Sequence, residues 1–439
     1  MIVHARGSDD EELTVTDIFD ELHWRGLIAQ STDEGGLRRA LESGPVSYYV
    51  GFDPTAPSLH VGHLVQVLTA RRLQDAGHLP LALVGGATGL VGDPRDTGER
   101  ALNDEATVAE WVRSLRRQIE PFLDFDGPHA ARMVNNLDWT AELSAIALLR
   151  DIGKHFPVNR MLDREAVAAR LDAGGISYTE FSYVLLQSND YLELFRRYGC
   201  ALQLGGSDQW GNITAGCELI RRVDGAHVHA MATPLLTKAD GAKFGKTESG
   251  TVWLDPELTS PYAFYQFWLQ AEDAKIGEYL RAFSFRGRDE IMELERQAAE
   301  QPSRRLAQQA LAEEVTALVH GVEHASAAVA ASRALFGHGV VEALERPVLA
   351  AALVEAGAPT LPIGAELPTY AELFESAGLV ASRSAARRAI AEGAAYVNNT
   401  RLDPTTDPAD RPTEDDLLYG EWLVLRRGKR TVGGLRLRR

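Results

Sequence analysis

The sequence predicts an α/β protein with a doubly wound parallel sheet in its first domain, followed by an all-helical domain and a small α+β domain. Short apolar runs alternate with helical patterns between residues 46 and 204. Glycine-rich turns follow those runs, as they do where parallel sheets bind ligands. After about residue 257 the strand pattern gives way to helical periods rich in Ala, Glu, Leu and Arg. A chain of 439 residues is long enough for these three domains.

The predicted elements alternate between strand and helix. We expect helices at 17–28 and 37–41, a strand at 46–52, a helix at 60–76, a strand at 80–84, a helix at 104–119, a strand at 131–134, helices at 143–149 and 179–198, and a strand at 202–204. The predicted domain limits are a disordered tail at 1–15, the sheet domain at 16–256, the helical domain at 257–355, a Pro/Gly linker at 356–366 and a compact module at 367–439.

Composition limits the partners and the compartment. The formal net charge of −17 argues against a protein whose whole surface coats nucleic acid or an anionic membrane. Cys200 and Cys217 are too few for a disulfide framework, and no apolar run approaches the length of a membrane span. The acidic N-terminus does not resemble a signal peptide. We therefore expect a cytoplasmic protein without a membrane segment, and the lack of a Cys/His cluster predicts no protein-held metal.

The first motif joins a short strand to a helix that opens with His60-Val61-Gly62-His63. Unpaired N–H groups and the helix dipole attract anions to a helix N-terminus, and histidines three residues apart face the same side of the first turn. Gly62 leaves room for a base or sugar to approach the backbone. The motif predicts a site for a nucleotide's phosphates; a capped helix with two surface histidines is the alternative for the motif alone.

Two further stretches favour a nucleotide site. Residues 85–89 and 92–94 form a glycine-rich crest at the C-terminal end of a strand, where open α/β sheets bind ligands. Residues 243–247 lie in a polar stretch that should be mobile, so that Lys243 and Lys246 can close over phosphates. Taken singly, a tight turn and a solvated basic loop would explain the two stretches.

Together, His60-Val61-Gly62-His63 and Lys243-Phe244-Gly245-Lys246-Thr247 resemble the paired signatures of class I aminoacyl-tRNA synthetases. The likeness is closest to bacterial tyrosyl-tRNA synthetases. It extends over nearly the whole chain, through residues 49–55, 85–89, 92–94, 178–183, Gln187 with Asp190, and 205–212.

The resemblance implies a role for each matching residue. Tyrosine would be bound at its hydroxyl by Tyr49 and Asp190, around its ammonium group by Tyr183, Gln187, Asp93 and Thr88, and at its carboxylate by Gln209. ATP would be bound by Asp53, His60, Gly62, His63, Gly206, Asp208, Lys243 and Lys246. The catalytic group would be Lys246, Lys243, His60, His63 and Thr55.

The implied reaction is attack by the tyrosine carboxylate on the α-phosphate of ATP, which gives tyrosyl-adenylate and pyrophosphate, followed by transfer of tyrosine to the 3′ end of tRNA(Tyr). No protein nucleophile is needed, since catalysis rests on positioning and on stabilising charge at the phosphates. Mg²⁺ would arrive with ATP. The resemblance also implies a homodimer, whose dimerisation region is inserted in the sheet domain.

Three departures from the family pattern limit these roles. Val50 stands where many relatives carry a cysteine that touches the ribose, and it can only pack. The loop after Asp93 lacks the usual lysine, so Arg95 and Arg100 are the candidates for contacting pyrophosphate. In the signature loop, residues 245 and 247 are Gly and Thr where both serines usually stand.

The C-terminal module resembles the S4 RNA-binding fold. Its last residues reverse the acidic balance of the chain, which favours contact with RNA phosphates over the alternative of a solubilising tail. The resemblance places residues 257–355 on the anticodon side of the tRNA. The tRNA-binding candidates are Arg221 and Arg222 near the acceptor arm, with Arg383, Arg387, Arg388, Arg426, Arg427, Lys429 and Arg430 in the module.

Three rival functions share part of this pattern. A tryptophan-specific relative of the same fold would have no use for Tyr49 and Asp190, because indole offers no hydroxyl. A nucleotidyl transferase that adenylates a small acid would not need an S4 module. A catalytically silent RNA-binding protein is disfavoured because both signature motifs keep their histidines and lysines.

Overall fold

The computed structural model describes residues 17–94, 102–247, 250–364, 366–428 and 431–438. The chain divides into two compact units. The first contains the residues up to Asp255 together with Glu272–Arg296, and the second contains Pro256–Ala271 together with the residues from Gln297 on. Residues 272–296, which were expected in the helical domain, belong to the same unit as the sheet.

A mixed sheet forms the centre of the first unit. Its strands are β1 (Gln30–Ser31), β2 (Ser47–Phe52), β3 (Leu79–Val84), β4 (Arg132–Asn135), β5 (Leu202–Gly206) and β6 (His229–Thr233). The spatial order is β1-β6-β5-β2-β3-β4, with β2 to β6 parallel and β1 antiparallel at one edge. The chain runs outward from β2 to β4 and then restarts at β5 on the other side of β2. The strand order therefore reverses between β2 and β5, which is where doubly wound sheets bind their ligands.

Helices cover this sheet. They are α1 (Ile18–Trp24), α2 (Glu34–Glu42), α3 (Val61–Asp75), α4 (Thr88–Val91), α5 (Glu105–Ile119), α6 (Leu137–Thr140), α7 (Ala145–Ala147), α8 (Val158–Leu162), α9 (Glu165–Ala173), α10 (Tyr178–Tyr198) and α11 (Trp210–Asp224). Local sequence sets their ends: the Asp104 side chain accepts the Thr107 N–H at the start of α5, and the Ser177 side chain accepts the Glu180 N–H at the start of α10. The predicted helix at 143–149 is shorter than expected, because α7 passes into a π-helical turn at Leu148–Ile152.

The signature loop is a hairpin in the same unit. Strands β7 (Lys246–Thr247) and β8 (Gly250–Thr251) pair antiparallel. The Phe244 ring packs against Tyr279 and Phe283, with ring centroids 4.5 and 5.6 Å away. Both partners lie on α13 (Ile276–Phe283), so the base of the loop is anchored to a helix.

The second unit combines helices with a second sheet. Its helices, with α14 continuing from the first unit, are α12 (Pro261–Leu269), α14 (Arg288–Glu300), α15 (Leu306–His320), α16 (Val322–Leu335), α17 (Arg346–Glu355), α18 (Tyr370–Ser376) and α19 (Arg383–Ala391). Its strands are β9 (Thr360–Pro362), β10 (Ala395–Val397), β11 (Thr400–Arg401), β12 (Trp422–Arg427) and β13 (Thr431–Arg438), in the order β11-β10-β12-β13-β9.

The stretch predicted as a linker contributes a strand to that sheet. Thr360 and Pro362 pair in parallel with Arg436 and Arg438 of β13. Further bonds join the module to the helices before it: Asn399 Nδ2 donates to the Ala334 carbonyl at 2.6 Å. Residues 360–362 of the predicted linker are therefore a paired strand, because their backbone groups bond to β13.

No helix among the described residues is both long and apolar enough to cross a membrane.

Candidate active site

The candidate site lies at the carboxyl ends of β2 and β5, on the two sides of the strand-order reversal. Tyr49 and Val50 lie within β2, and each is about 2% exposed. Asp53 follows β2, while Gly206 ends β5 and Asp208 lies in the next turn. The sheet thus brings together residues that are some 150 positions apart in the chain, as expected for this fold.

Asp190 is a buried carboxylate with two fixed donors. Trp139 Nε1 donates to its Oδ1 at 2.8 Å, and Asn136 Nδ2 donates to its Oδ2 at 2.9 Å. Burial raises the pKa of Asp190 to about 7, even though both donors act to lower it. Trp139 and Asn136 were not predicted; the available signal was their position just after β4, at the ligand-binding edge of a parallel sheet.

The Tyr49 hydroxyl lies in the same pocket. Its oxygen is buried and has no hydrogen-bond partner among the described residues, although buried hydroxyls usually have one. Burial raises the Tyr49 pKa well above its ordinary value, and the charge of Asp190 acts in the same direction. Gln203 is paired with Tyr49 in the neighbouring strand, and its Oε1 is also buried without a partner among those residues. These groups can accommodate a polar ligand atom.

Asp53 connects two residues that were assigned to tyrosine. The Tyr183 hydroxyl donates to Asp53 Oδ2 at 2.7 Å, and Thr88 Oγ1 donates to Asp53 Oδ1 at 2.6 Å. Asn136 Nδ2 in turn donates to Thr88 Oγ1 at 2.9 Å, which continues the network to Asp190. The resemblance assigns Asp53 to ATP, and in the structure Asp53 is bonded to Tyr183 and Thr88, which the resemblance assigns to tyrosine.

Asp93 and Gln209 form a second polar cluster. Gln209 Nε2 donates to Asp93 Oδ2 at 2.8 Å, and Asn212 Nδ2 donates both to Asp93 Oδ1 and to Gln209 Oε1 at 3.1 Å. Arg164 closes the cluster from outside the motifs: Nη1 donates to Asn212 Oδ1 at 2.8 Å. The Gln187 Oε1 atom is buried without a partner in the described part of the chain. Arg164 belongs to none of the sequence motifs and was not predicted.

The two histidines of the first motif cap their own helix. The His60 Nδ1 atom accepts the Gly62 N–H, and His63 Nδ1 accepts the His60 N–H, both at 3.1 Å. Their rings stack with centroids 3.9 Å apart, and burial lowers the pKa of His63 to about 3. With Nδ1 as an acceptor, each neutral ring offers Nε2–H as its donor. A Cβ on Gly62 would lie 2.8 Å from the His60 ring, so glycine at this position is needed for the His60 ring to cap the helix.

The two signature motifs touch each other. The Val61 N–H donates to the Val252 carbonyl at 3.1 Å, and the Val252 N–H donates to the Gly245 carbonyl at 3.0 Å. Gly245 has φ +85°, and a Cβ there would fall 2.4 Å from Val61 Cγ2. Lys243 is exposed and Thr55 lies exposed in the turn after Asp53. The Lys246 backbone belongs to β7, and its side chain lies outside the described part of the structure.

The tRNA-binding candidates differ in their exposure. Arg221 and Arg222 both form ion pairs with Glu218, at 2.8 and 2.5 Å. The hydrogen bonds from Arg221 and then Arg222 lower the pKa of the Glu218 carboxyl to about 2. Arg426 is buried and stacks on the Tyr396 ring at 4.3 Å. The exposed candidates of the module are Arg383, Arg387, Arg388 and Arg427.

The burial of Arg426 weighs against the prediction that it binds tRNA. It lies in β12, where five of the six residues are buried, so the basic run does not point uniformly to solvent. Arg95, Arg100, Lys429 and Arg430 lie outside the described residues, as does the tail at 1–15. Within the described residues there is no group of three or more His, Cys, Asp or Glu side chains that could hold a metal ion.

The chain is similar to known families and proteins over most of its length. The family described as tRNA synthetases class I (W and Y) matches residues 41–337, and the tyrosine--tRNA ligase SYY-like C-terminal domain matches residues 351–432. The tyrosine--tRNA ligase of Kineococcus radiotolerans is 66% identical over 96% of this chain and 99% of its own. That of Streptomyces coelicolor is 62% identical over 96% of this chain and 99% of its own.

Solved structures show the same fold. A C-terminally truncated mitochondrial tyrosyl-tRNA synthetase of Coccidioides posadasii is 31% identical, covering 71% of this chain and 91% of its own, with a TM-score of 0.63. A tryptophanyl-tRNA synthetase of Encephalitozoon cuniculi reaches a TM-score of 0.53 at 13% identity over 75% of this chain and 89% of its own, a likeness in fold alone. The comparisons favour the tyrosine enzymes over the tryptophan alternative.

Proposed function

Because the chain belongs to the tyrosine–tRNA ligases, a family of class I tRNA synthetases, we propose residue roles for its reaction from the contacts in the site. The enzyme activates L-tyrosine with ATP and transfers it to tRNA(Tyr). The observation that carries the proposal is the buried Tyr49 hydroxyl that has no partner among the described residues, in a pocket with the Asp190 carboxylate.

Tyr49 and Asp190 bind the phenol hydroxyl of tyrosine. The Tyr49 hydroxyl can donate to the substrate oxygen, while the carboxylate accepts the substrate's hydrogen. Asn136 and Trp139 hold the carboxylate in place, since they bond one to each of its oxygens. Phenylalanine would leave the buried Tyr49 hydroxyl without a partner, which costs about 1–3 kcal/mol, and would also deprive Asp190 of the hydrogen bond from the substrate.

Acceptors surround the other end of the amino acid. Gln187 Oε1, Tyr183 and Asp93 bind the ammonium group, and Gln209 contacts the carboxylate with its amide. Thr88 and Asp53 support them, because Asp53 already accepts hydrogen bonds from Tyr183 and Thr88. A half-buried carboxylate with such donors keeps a negative charge close to the substrate's ammonium group.

The helix start and the signature loop bind ATP. Gly206 and Asp208 lie by the ribose, and Gly62, His60, His63 and Thr55 lie along the phosphates with Lys243 and Lys246. Neutral histidines with Nε2–H donors suit a pentavalent phosphorus, since they stabilise developing charge without a proton transfer. Mg²⁺ enters bound to ATP, and the protein supplies hydrogen-bond donors and positive charge to the phosphates.

The C-terminal module is an S4-type RNA-binding domain and binds tRNA through exposed arginines. Arg383, Arg387, Arg388 and Arg427 are exposed there. Arg221 and Arg222 contribute near the acceptor arm if phosphates displace Glu218, their present partner. Residues 257–355 face the anticodon side.

The active form is a homodimer that works in the cytoplasm, where charged tRNA is consumed. Between α6 and the start of α10, several large apolar side chains are exposed, more than a monomer surface usually shows in one stretch. They are Leu137, Ile146, Leu149, Val158, Leu162, Leu171 and Tyr178. Sedimentation of Ile146→Asp and Tyr178→Asp variants tests this face: both should sediment as monomers, with Val322→Asp, also exposed, as the control.

Amino-acid-dependent exchange of pyrophosphate into ATP tests the site assignments. Exchange should require tyrosine, with little response to tryptophan or phenylalanine. Substituting Gln187→Leu should raise the KM for tyrosine about tenfold, because an ammonium group loses an acceptor. An unchanged KM would refute the placement of the ammonium group.

A further inference from the structure

Arg164 lies in the turn between α8 and α9, outside every motif that the family resemblance covers. Its guanidinium forms two bonds to the segment after β5: Nη1 to Asn212 Oδ1 at 2.8 Å and Nη2 to the Gly211 carbonyl at 2.9 Å. The side chain is half-buried. A guanidinium bonded at two points is fixed in orientation, unlike a solvated surface arginine.

These bonds decide which way the Asn212 amide points. Arginine offers only donors, so Asn212 must turn its oxygen toward Arg164 and its Nδ2 toward Asp93 and Gln209. Asn212 Nδ2 then donates to Asp93 Oδ1 and Gln209 Oε1, each at 3.1 Å. Without Arg164, the Asn212 oxygen would lose its donor, and the amide could turn away from Asp93.

The Gln209 amide is oriented by the same chain of bonds. Its Oε1 accepts from Asn212, and one hydrogen of Nε2 is used in the 2.8 Å bond to Asp93. The second Nε2 hydrogen is then held in a fixed direction. Asp93 also interacts electrostatically with Arg164. Burial lowers the pKa of Arg164 to about 10, and the negative charge of Asp93 acts to raise it.

We propose that Arg164 is a positioning residue for the amino-acid end of the tyrosine site, acting through Asn212 on Asp93 and Gln209. This inference rests on the roles proposed above for Asp93 and Gln209. Arg164 touches neither tyrosine nor ATP in this scheme. It sets the angles of the Asp93 carboxylate and the Gln209 amide before tyrosine arrives, which reduces the ordering that binding would otherwise require.

Pyrophosphate exchange by the full chain tests the proposal through Arg164→Met and Asn212→Ala. In each variant the KM for tyrosine should rise roughly tenfold, as expected when a hydrogen bond to a charged group is lost. The KM for ATP and the preference for tyrosine over phenylalanine should stay unchanged, because neither the nucleotide nor the phenol hydroxyl is involved. Arg164→Lys keeps a charged donor for Asn212 Oδ1 and should recover most of the loss.

The double variant distinguishes positioning from a general loss of structure. If Arg164 acts through Asn212, Arg164→Met combined with Asn212→Ala should have the same KM for tyrosine as Asn212→Ala alone. If the increases in the KM for tyrosine of the two single variants multiply in the double variant, the proposal is overturned. A rise in the KM for ATP equal to that for tyrosine would overturn it as well. Arg296→Met is the matched control, since Arg296 is an exposed arginine paired with Glu293 on its own helix.

The Asp93→Asn variant shows whether a negative result contradicts the role of Arg164 or the role proposed for Asp93. If Asp93→Asn leaves the KM for tyrosine unchanged, the assignment of Asp93 is wrong. If Asp93→Asn raises it while Arg164→Met does not, only the positioning role of Arg164 is overturned. Should Arg164→Met fail to fold, as judged by its thermal unfolding, Arg164→Lys and Asn212→Ala decide the question by the same measurements.

Discussion

Gly245 of the signature loop lies directly against Val61 at the start of the helix that carries the other signature: a Cβ added to Gly245 would stand 2.4 Å from Val61 Cγ2. The contact lets the loop backbone approach the helix N-terminus, where the phosphates are expected. Gly245→Ala should therefore slow adenylate formation about tenfold or more, because it adds a clash to a backbone at φ +85°. Single-turnover formation of tyrosyl-adenylate measures this, and tyrosine binding should remain intact.

Gly241→Ala is the matched control for that substitution. Gly241 has φ +83°, nearly the same backbone conformation, but nothing lies within 4 Å of a Cβ added there. Its variant should carry the backbone strain without the clash and keep most of the rate. Equal loss of rate in both variants would show that strain, not contact with Val61, is responsible.

Substitution of Tyr49 or Asp190 should weaken the discrimination against phenylalanine. Tyr49→Phe and Asp190→Asn each remove part of the hydrogen bonding to the substrate hydroxyl, so kcat/KM for tyrosine should fall by about tenfold or more, with a smaller change for phenylalanine. Tyr48→Phe is the control: Tyr48 is buried beside Tyr49, but its hydroxyl donates to the Ala70 carbonyl. A tyrosine-to-phenylalanine ratio unchanged in both site variants would refute the pocket assignment.

Tyrosine binding should weaken as pH falls through 7. Asp190, whose pKa is about 7, accepts a hydrogen bond best as a carboxylate, so its protonation below that pH removes an acceptor. The KM for tyrosine should rise up to about tenfold between pH 8 and pH 6. The KM for ATP serves as the internal reference, and Trp139→Phe should shift the transition to higher pH because it removes a donor to the carboxylate.

The same carboxyl should make the ligand-free enzyme less stable as pH rises. A folded pKa of about 7, against an ordinary value of 3.8, means that the folded state binds the proton more tightly than the unfolded chain. This stabilisation is fully present below about pH 4 and is lost progressively up to about pH 7, by on the order of a few kcal/mol. Urea unfolding measures this as the difference in unfolding free energy between wild type and Asp190→Asn, which should fall across this range as pH rises, because groups such as His63 titrate in both proteins.

Removing the C-terminal module should separate tyrosine activation from tRNA charging. A chain that ends at Ala358 keeps every residue assigned to tyrosine and ATP, so pyrophosphate exchange should persist, whereas charging should fall sharply and its salt dependence should flatten. A chain that ends at Glu366 retains Thr360–Pro362 without its partner strand, and we expect it to be less soluble. Full-rate charging by the shorter chain would show that the module is dispensable, and loss of exchange would mean that the cut damages the catalytic unit.

Much of the sheet could be predicted because its strands contain short apolar segments between helical patterns, the most continuous of which is β3. β2, β3, β4 and β5 begin and end within two residues of the predicted limits. β6 was not predicted: His229–Thr233 contains one β-branched residue, and its strand conformation comes from the ladder with β5.

The candidate site also contains residues that could be predicted from the sequence and residues that could not. Motifs identified Tyr49, Asp190, Asp93 and Gln209, because their residue types and order match a family pattern. They did not identify Asn136, Trp139 or Arg164, whose roles depend on hydrogen bonds between residues about 50 positions apart, which only the folded chain brings together.

The parallel pairing of Thr360–Pro362 with the last strand has a consequence for biosynthesis. A ribosome produces Thr360 long before Arg436, so the first strand of the C-terminal sheet has no partner until almost the whole chain has been synthesised. Strands β10 and β12 can pair with each other earlier, but the edge strand Thr360–Pro362 can pair only after β13 has been synthesised. Completion of the C-terminal module is thereby delayed until the end of translation, after the parallel sheet of the first unit has had time to fold.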